Sequence, residues 1–369
     1  MSSFQIDILL VALVTAAACA LPGVFLVLRR MSMMSDAISH TVLLGIVIGF
    51  FLTRDLTSPL LVFGAALVGL LTVGLVALLQ RTGLVREDAA IGLVFPALFS
   101  LAVILISVYA RNVHLDTDAV LVGELAFAPF DRFLVAGVDL GPRGLYLMGG
   151  ILAANLLFIG LFYKELKLTT FDAGLAAVLG FAPALIQTAL LALVSVTVVG
   201  AFDIVGSVLV VALMVAPAAA AYLLTDRLRV MIVLSVLLGM LSALAGYGLA
   251  HWLDASIAGS IAALNGVVFG LVFLLAPERG MLALARRRAR QRWDFAQTML
   301  AIHLLNHEGT ADAEQESQAR HLMDHLRWDE VFSAAVVRRS VAQGWVVRSN
   351  GHLGLTETGR KKAHEALVL

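Results

Sequence analysis

Apolar stretches of about 20 residues occupy most of the chain between residues 6 and 276. A helix of about 20 apolar residues is long enough to cross the hydrocarbon core of a bilayer. The chain is 60% hydrophobic and 14% charged, whereas soluble proteins carry roughly 25% charged residues. We therefore predict an all-α polytopic membrane protein with about nine spans, at residues 6–28, 36–52, 59–79, 89–109, 145–163, 181–199, 205–224, 230–250 and 259–276.

One further apolar stretch, at residues 119–138, does not fit this pattern. Glu124, Pro129, Asp131 and Arg132 interrupt it. Charged side chains are costly at membrane depth, so a full crossing is disfavoured. We expect a short or re-entrant helix here.

Charged residues divide the chain into two regions. They are sparse before residue 277 and frequent after it. This change in composition predicts a transmembrane domain at residues 1–277, a basic linker at 278–295 and a small water-soluble domain at 296–369.

The orientation follows from the positive residues of the short loops, which concentrate on the cytoplasmic side of a membrane. The loops after alternate spans form two sets, and the richer set lies on the same side as the tail. We predict an outside N-terminus and a cytoplasmic C-terminus. The richer set holds Arg29, Arg30, Arg81, Arg86, Lys164, Lys167, Arg227 and Arg229, and the poorer set holds Arg54, Arg111, Arg132 and Arg143.

The strongest candidate for chemistry at membrane depth is the pair Asp36 and His40. Their i, i+4 spacing places both side chains on one face of a helix. A carboxylate oxygen with an imidazole nitrogen suits Mn, Fe or Zn. Two ligands are too few, so a second copy would have to supply two more. The alternative is that Asp36 caps the helix while His40 packs or faces the headgroups.

Motifs for enzymatic chemistry are absent from the sequence. It has no Gly-x-x-x-x-Gly-Lys-Ser/Thr phosphate loop, no serine elbow and no His-Glu-x-x-His motif. We therefore expect no ATPase or other enzyme activity in this chain.

Four segments resemble the zinc/manganese/iron ABC permease family. The first contains Asp36-Ala37-Ile38-Ser39-His40, a sequence more similar to the manganese/iron branch than to the zinc branch. The matches follow one another in order over the first three-quarters of the chain, at residues 27–40, 87–92, 171–180 and 212–221.

The resemblance implies the membrane subunit of an importer for a divalent transition-metal ion in a bacterial inner membrane. Manganese is the favoured cargo, with iron or zinc as alternatives, and no permanently bound cofactor is expected. Implied partners are two cytoplasmic ATPase subunits, an extracytoplasmic metal-binding protein, and a second permease in a homodimer or heterodimer. The family associates the Asp and His of the first motif with the metal pathway, which favours Asp36 and His40 as transient ligands.

Residues 171–180 correspond to the cytoplasmic segment that docks onto the ATPase in that family. Asp172 can N-cap a short helix, and Gly180 can end it. Ala173 and Gly174 depart from the family's usual proline and acidic residue. The predicted coupling residues, including a small apolar face, are Phe171, Asp172, Leu175, Ala176, Leu179 and Gly180.

The tail has the pattern of a small α+β winged-helix domain. Helices are predicted at 296–305, 314–327 and 329–343. A hairpin is predicted around Ser349-Asn350-Gly351, since Asn-Gly between apolar runs is a strong turn signal. Residues 355–360 are similar to repressors of the diphtheria-toxin-repressor type, a resemblance limited to their DNA-binding part.

The charge of the tail does not favour DNA binding. From Arg286 onward it has thirteen Lys/Arg and ten Asp/Glu. Five of the positive residues lie in 286–292, where anionic lipid accounts for them. We favour a regulatory or docking module. Metal sensing is an alternative to solvated surface histidines, with two i, i+4 pairs: His303 and His307, and His321 and His325.

Two other classes of protein remain open from the residues alone. A secondary transporter or channel would need no ATPase. A membrane-anchored metal-responsive regulator would require specific operator binding by residues 290–369.

Overall fold

The computed structural model describes residues 3–54, 58–109, 125–135, 138–310, 317–318, 326, 328–349 and 351–367. The chain forms two compact units, Met1–Gly280 and Met281–Leu369. Each is described by itself.

The first unit is built from helices. Ten α-helices lie in its described part: α1 Ser3–Leu28, α2 Met33–Thr53, α3 Pro59–Arg81, α4 Glu87–Tyr109, α5 Arg143–Leu161, α6 Tyr163–Phe171, α7 Ala173–Val178, α8 Pro183–Leu224, α9 Leu228–Leu253 and α10 Ile257–Leu275.

Eight of the described helices, all except the short α6 and α7, are long and apolar enough to cross a membrane. The prediction of a polytopic α-helical membrane protein is confirmed. Helices α1 and α8 are mostly buried, and α1 packs against α5, α8 and α9. Helices pair most of their backbone N–H and C=O groups internally, as the bilayer requires.

Helix α8 covers two of the predicted spans. It has 42 residues and is interrupted at Gly206, whose φ of 78° and ψ of 166° are not helical. Leu190 of the first half and Ala218 of the second lie in one buried cluster with Leu21 and Phe25 of α1. On a straight helix those two residues would be about 42 Å apart. The chain therefore turns back at Gly206, and the two halves lie side by side.

The expectation of a helix at 119–138 is wrong for its described part. Leu125–Phe127 is a single 3₁₀ turn, and β1 (Arg132–Val135) pairs antiparallel with β2 (Val138–Pro142). Arg132 explains the difference, because it forms ion pairs with Asp139 of β2 and, at 3.4 Å, with Asp7 of α1. Its hydrogen bond lowers the pKa of the Asp139 carboxyl from the ordinary value. Arg132, one of the residues that interrupt the apolar pattern, thus stabilises a hairpin.

The second unit contains three described α-helices and one hairpin. These are α11 Met281–His307, α12 Glu330–Ala342, β3 Val346–Ser349, β4 His352–Leu355 and α13 Glu357–Leu367. The strands are antiparallel, with Val346 opposite Leu355. Their core includes Leu300, Val336 and Leu353. Residues 281–295, which belong to the predicted linker, are helical and continuous with the rest of α11. Most of the helix expected at 314–327 lies outside the described residues.

Candidate metal site and docking segment

Asp36 and His40 lie in the first two turns of α2 and face each other. His40 Nε2 is 3.5 Å from Asp36 Oδ1. The side chains are 28% and 38% exposed for His40 and Asp36 respectively, so both are accessible. If an ion lay about 2.1 Å from both atoms, a usual ligand distance, the angle Oδ1–ion–Nε2 would be about 113°. This spacing suits two ligands of one ion.

The alternative role of Asp36 as a helix cap does not fit this arrangement. Helix α2 begins at Met33, with Ser32 at the N-cap position. Asp36 therefore lies inside the first turn, where its negative charge interacts favourably with the helix dipole but does not cap the helix.

The ring of His40 packs against two aromatic side chains of α4. The ring centroids are 5.3 Å from Phe95 and 5.8 Å from Phe99. These contacts hold the imidazole ring beside α4 while Nε2 faces Asp36. Sequence reasoning missed both phenylalanines, because more than 50 residues separate them from His40.

Within the part of the chain that the structure describes, no third ligand joins this pair. No group of three or more His, Cys, Asp or Glu side chains is close enough there to hold a metal ion. Among the described residues, the pair thus offers an ion one carboxylate and one imidazole.

Residues 171–180, the predicted docking segment, contain the short exposed helix α7, whose two ends are well defined. Asp172 Oδ1 accepts a hydrogen bond of 2.8 Å from the Leu175 backbone N–H, which caps α7. Gly180 has a φ of +87°, a conformation that favours glycine, and follows the helix end. Both ends match the sequence interpretation.

The apolar face of this segment differs from the expected one. Ala176 is fully buried, whereas Phe171, Leu175 and Leu179 are exposed. Val178, which is not among the predicted coupling residues, is 84% exposed. An exposed apolar surface on a short helix is typical of a protein interface.

The tail histidines are only partly described. His303 is buried, and its ring centroid is 4.8 Å from that of His307. His321 and His325 lie outside the described residues.

The long apolar helices define a multi-pass membrane protein, in which the short helix α7 exposes apolar side chains. The profile of the ABC 3 transport family matches residues 1–276, and the chain belongs to this family. It is therefore a permease subunit of an ABC transporter in the inner membrane and not itself an ATPase. ATPase and substrate-binding partners are implied by this family.

Two curated relatives extend the comparison. The chain is 49% identical over 361 residues to "Zinc transport system membrane protein TroD" of Treponema pallidum, covering 98% of each protein. It is 48% identical over 280 residues to "Manganese transport system membrane protein MntD" of Bacillus subtilis, covering 76% of this chain and 95% of that protein. The first alignment thus takes in the tail, whereas the second covers about as many residues as the membrane unit.

A solved structure resembles the membrane unit. It is described as PsaBC from Streptococcus pneumoniae in complex with Fab. The match has a TM-score of 0.63 and 29% identity, and it covers 77% of this chain and 96% of that one. The resemblance of the permease motifs is confirmed, while that of the tail to winged-helix repressors stays a prediction.

Proposed function

We propose that this permease carries a divalent transition-metal ion inward, with Mn²⁺ as the favoured cargo and Fe²⁺ or Zn²⁺ as alternatives. One observation carries this proposal. Asp36 Oδ1 and His40 Nε2 lie 3.5 Å apart at the start of a membrane helix. The names of the relatives support it, since they specify manganese or zinc. A separate ATPase drives the transport.

The ion is held only transiently. Asp36 and His40 of one chain offer one oxygen and one nitrogen ligand, which is fewer than any of these metals prefers. A second permease, either a copy or a sister chain, supplies two more ligands across a dimer interface. The solved relative is itself part of a complex, PsaBC with Fab. Because one chain coordinates the ion incompletely, the ion can leave once the ligands of the two permease chains move apart.

In this proposal the N-terminus is outside and the docking segment, with the tail, is cytoplasmic. The described helices make nine crossings if α8 crosses twice around Gly206, and an odd number places the two termini on opposite sides. The positive loop residues support this orientation. Phe171, Leu175, Val178 and Leu179 then form the apolar surface that enters a groove of the ATPase.

Uptake of radioactive Mn²⁺ into proteoliposomes containing the permease and its ATPase tests the metal site. Asp36→Ala and His40→Ala each remove one ligand and should abolish uptake while assembly persists. His251→Ala is the control, because His251 is exposed at the end of α9. Competition by Fe²⁺ and Zn²⁺ ranks the cargo. Wild-type uptake in both ligand variants would remove these residues from the pathway.

Docking is tested by co-purification of the ATPase. Val178→Asp places a charge in the exposed apolar surface and should release the ATPase. Leu84→Asp is the matched control, since Leu84 is 88% exposed in the loop between α3 and α4. Equal retention of the ATPase by both variants would contradict the assigned surface.

For the tail we propose a winged-helix-like module that regulates transport or docks a partner and does not bind DNA. The close ring pair of His303 and His307 supports metal sensing, with His321 and His325 as further candidate ligands. Replacing His303 and His307 by Gln in the full chain should change how uptake depends on cytoplasmic metal. Unchanged dependence would leave docking as the role of the tail.

A further inference from the structure

The turn between α1 and α2 holds the start of the metal-bearing helix rigidly. Only four residues, 29–32, connect Leu28 to Met33. The backbone N–H of Met31 donates to the Leu26 carbonyl at 2.8 Å, and that of Met34 donates to the Met31 carbonyl at 3.0 Å. Met31 is buried. The end of α1 and the start of α2 therefore move together, and Asp36 lies in the first turn beyond them.

Arg29 ties this turn to the helix that precedes the docking segment. Its Nη2 donates to Thr169 Oγ1 at 2.9 Å, and its Nε donates to Thr170 Oγ1 at 3.1 Å. Thr169 is buried, and its hydroxyl donates to the Glu165 carbonyl at 2.8 Å. Burial lowers the pKa of Arg29 from its ordinary value, yet an arginine stays charged. A partly buried charge requires such partners, so the contact is specific.

The helix that follows the docking segment touches the same turn. Gln187, near the start of α8, places Nε2 3.7 Å from the sulfur of Met31. Amide contacts to a thioether are weak. Both helices that flank α7 thus contact residues 29–32, and the contact through Arg29 is the stronger one.

We propose that Arg29 is a positioning residue that transmits movement of the docking segment to α2 and so to Asp36 and His40. The inference rests on the proposed function, because it assumes that the ATPase docks on residues 171–180 and that the ion binds on α2. Thr170 directly precedes Phe171 of this segment. A displacement of α6 therefore pulls on the guanidinium, and the tight turn passes it to the start of α2. Two packed, hydrogen-bonded rigid elements provide a physical route for such coupling.

The test uses the complete transporter in proteoliposomes and counts Mn²⁺ ions transported per ATP hydrolysed. Arg29→Gln removes the forked donor and should lower this ratio about tenfold, a usual size for coupling between sites. Thr169→Val with Thr170→Val removes both acceptors at nearly constant shape and should give the same loss. Arg29→Lys keeps the charge but not the fork, so it should restore the ratio only in part.

Two measurements separate coupling from a purely structural role. Equilibrium binding of Mn²⁺ and co-purification of the ATPase should stay at wild-type values in the Arg29 and Thr variants. Arg30→Gln is the matched control, since it removes the same charge from the adjacent exposed residue and should leave the ratio unchanged. In a double-mutant cycle, Arg29→Gln combined with the two valines should be no worse than either change alone.

The possible outcomes separate failure of the role of Arg29 from failure of the proposed transport function. Additive losses in the cycle, or a parallel fall of transport and hydrolysis at constant ratio, would overturn the role of Arg29. Asp36→Ala and His40→Ala are measured alongside. Uptake of Mn²⁺ by those two variants would refute the metal site. If they lose uptake but Arg29→Gln keeps the wild-type number of ions transported per ATP, only the transmission through Arg29 would be refuted.

Discussion

Gly45 on α2 is the position where adding one methyl group should disturb the bundle most clearly. A Cβ built there would lie 2.3 Å from the Gly64 carbonyl oxygen and 2.6 Å from the Ala65 Cα atom, both of α3. These are backbone atoms, so no side chain can rotate away. The Thr72 hydroxyl of α3 also donates a hydrogen bond of 2.8 Å to Thr41 Oγ1 of α2, which joins the same two helices. We predict that Gly45→Ala separates α2 from α3.

The size of the effect follows from the contact distances. Ordinary contacts of a Cβ begin at about 3.4 Å, so the helices must separate by about 1 Å locally. Overpacking of this kind costs about 1–3 kcal/mol. Because α2 carries Asp36 and His40, uptake of metal should fall as well.

Unfolding of the purified permease in mixed micelles of increasing SDS content measures this cost. Gly74→Ala on α3 is the control, since a Cβ there meets nothing within 4 Å. Alanine is the better helix former by about 0.5–1 kcal/mol, so the control should be as stable as the wild type or slightly more stable. If Gly45→Ala unfolds at the same SDS content as Gly74→Ala, the close helix contact is refuted.

Three further predictions concern the break in α8 and the tail. Gly206→Ala should reduce the yield of folded permease, because φ 78° and ψ 166° are accessible essentially only to glycine; size-exclusion chromatography measures that yield. Asp329→Ala should destabilise the tail by about 1 kcal/mol, because Asp329 Oδ1 accepts a hydrogen bond from the Phe332 N–H that caps α12. Its unfolding is followed by tryptophan fluorescence, since three of the four tryptophans lie after residue 281. The hydrogen bond from Arg360 lowers the pKa of Glu308. Their ion pair therefore stabilises the tail fully at pH values above the ordinary glutamate pKa of about 4.3. This stabilisation is lost as the pH falls through the lowered pKa of Glu308. Glu308→Gln should abolish that part of the pH dependence, and an unchanged pH profile would contradict the assignment.

The membrane fold could be predicted from sequence because the bilayer imposes length and hydropathy on every span. The reversal at Gly206 was placed less accurately. The sequence predicts that residues 200–204, which include Asp203, lie between two spans, yet the helix continues through Asp203 to the break at Gly206. Hydropathy alone does not reveal that a helix continues past one charged side chain.

The candidate site divides in the same way. The i, i+4 spacing of Asp36 and His40 fixes their proximity locally, so the sequence predicted the pair. The aromatic neighbours Phe95 and Phe99, and the bond from Arg29 to α6, depend on tertiary packing and carry no local signal. At the docking segment the caps were predicted correctly, because each depends on one residue. The exposed face was not, because the side that is buried depends on the packing of α7.

Pulsed electron paramagnetic resonance of Mn²⁺ bound to the purified transporter tests the central claim most directly. Coordination by His40 predicts a hyperfine coupling from an imidazole nitrogen, which disappears in His40→Ala and persists in His251→Ala. A spectrum without nitrogen coupling, or one that His40→Ala leaves unchanged, would contradict binding of the ion by the pair on α2.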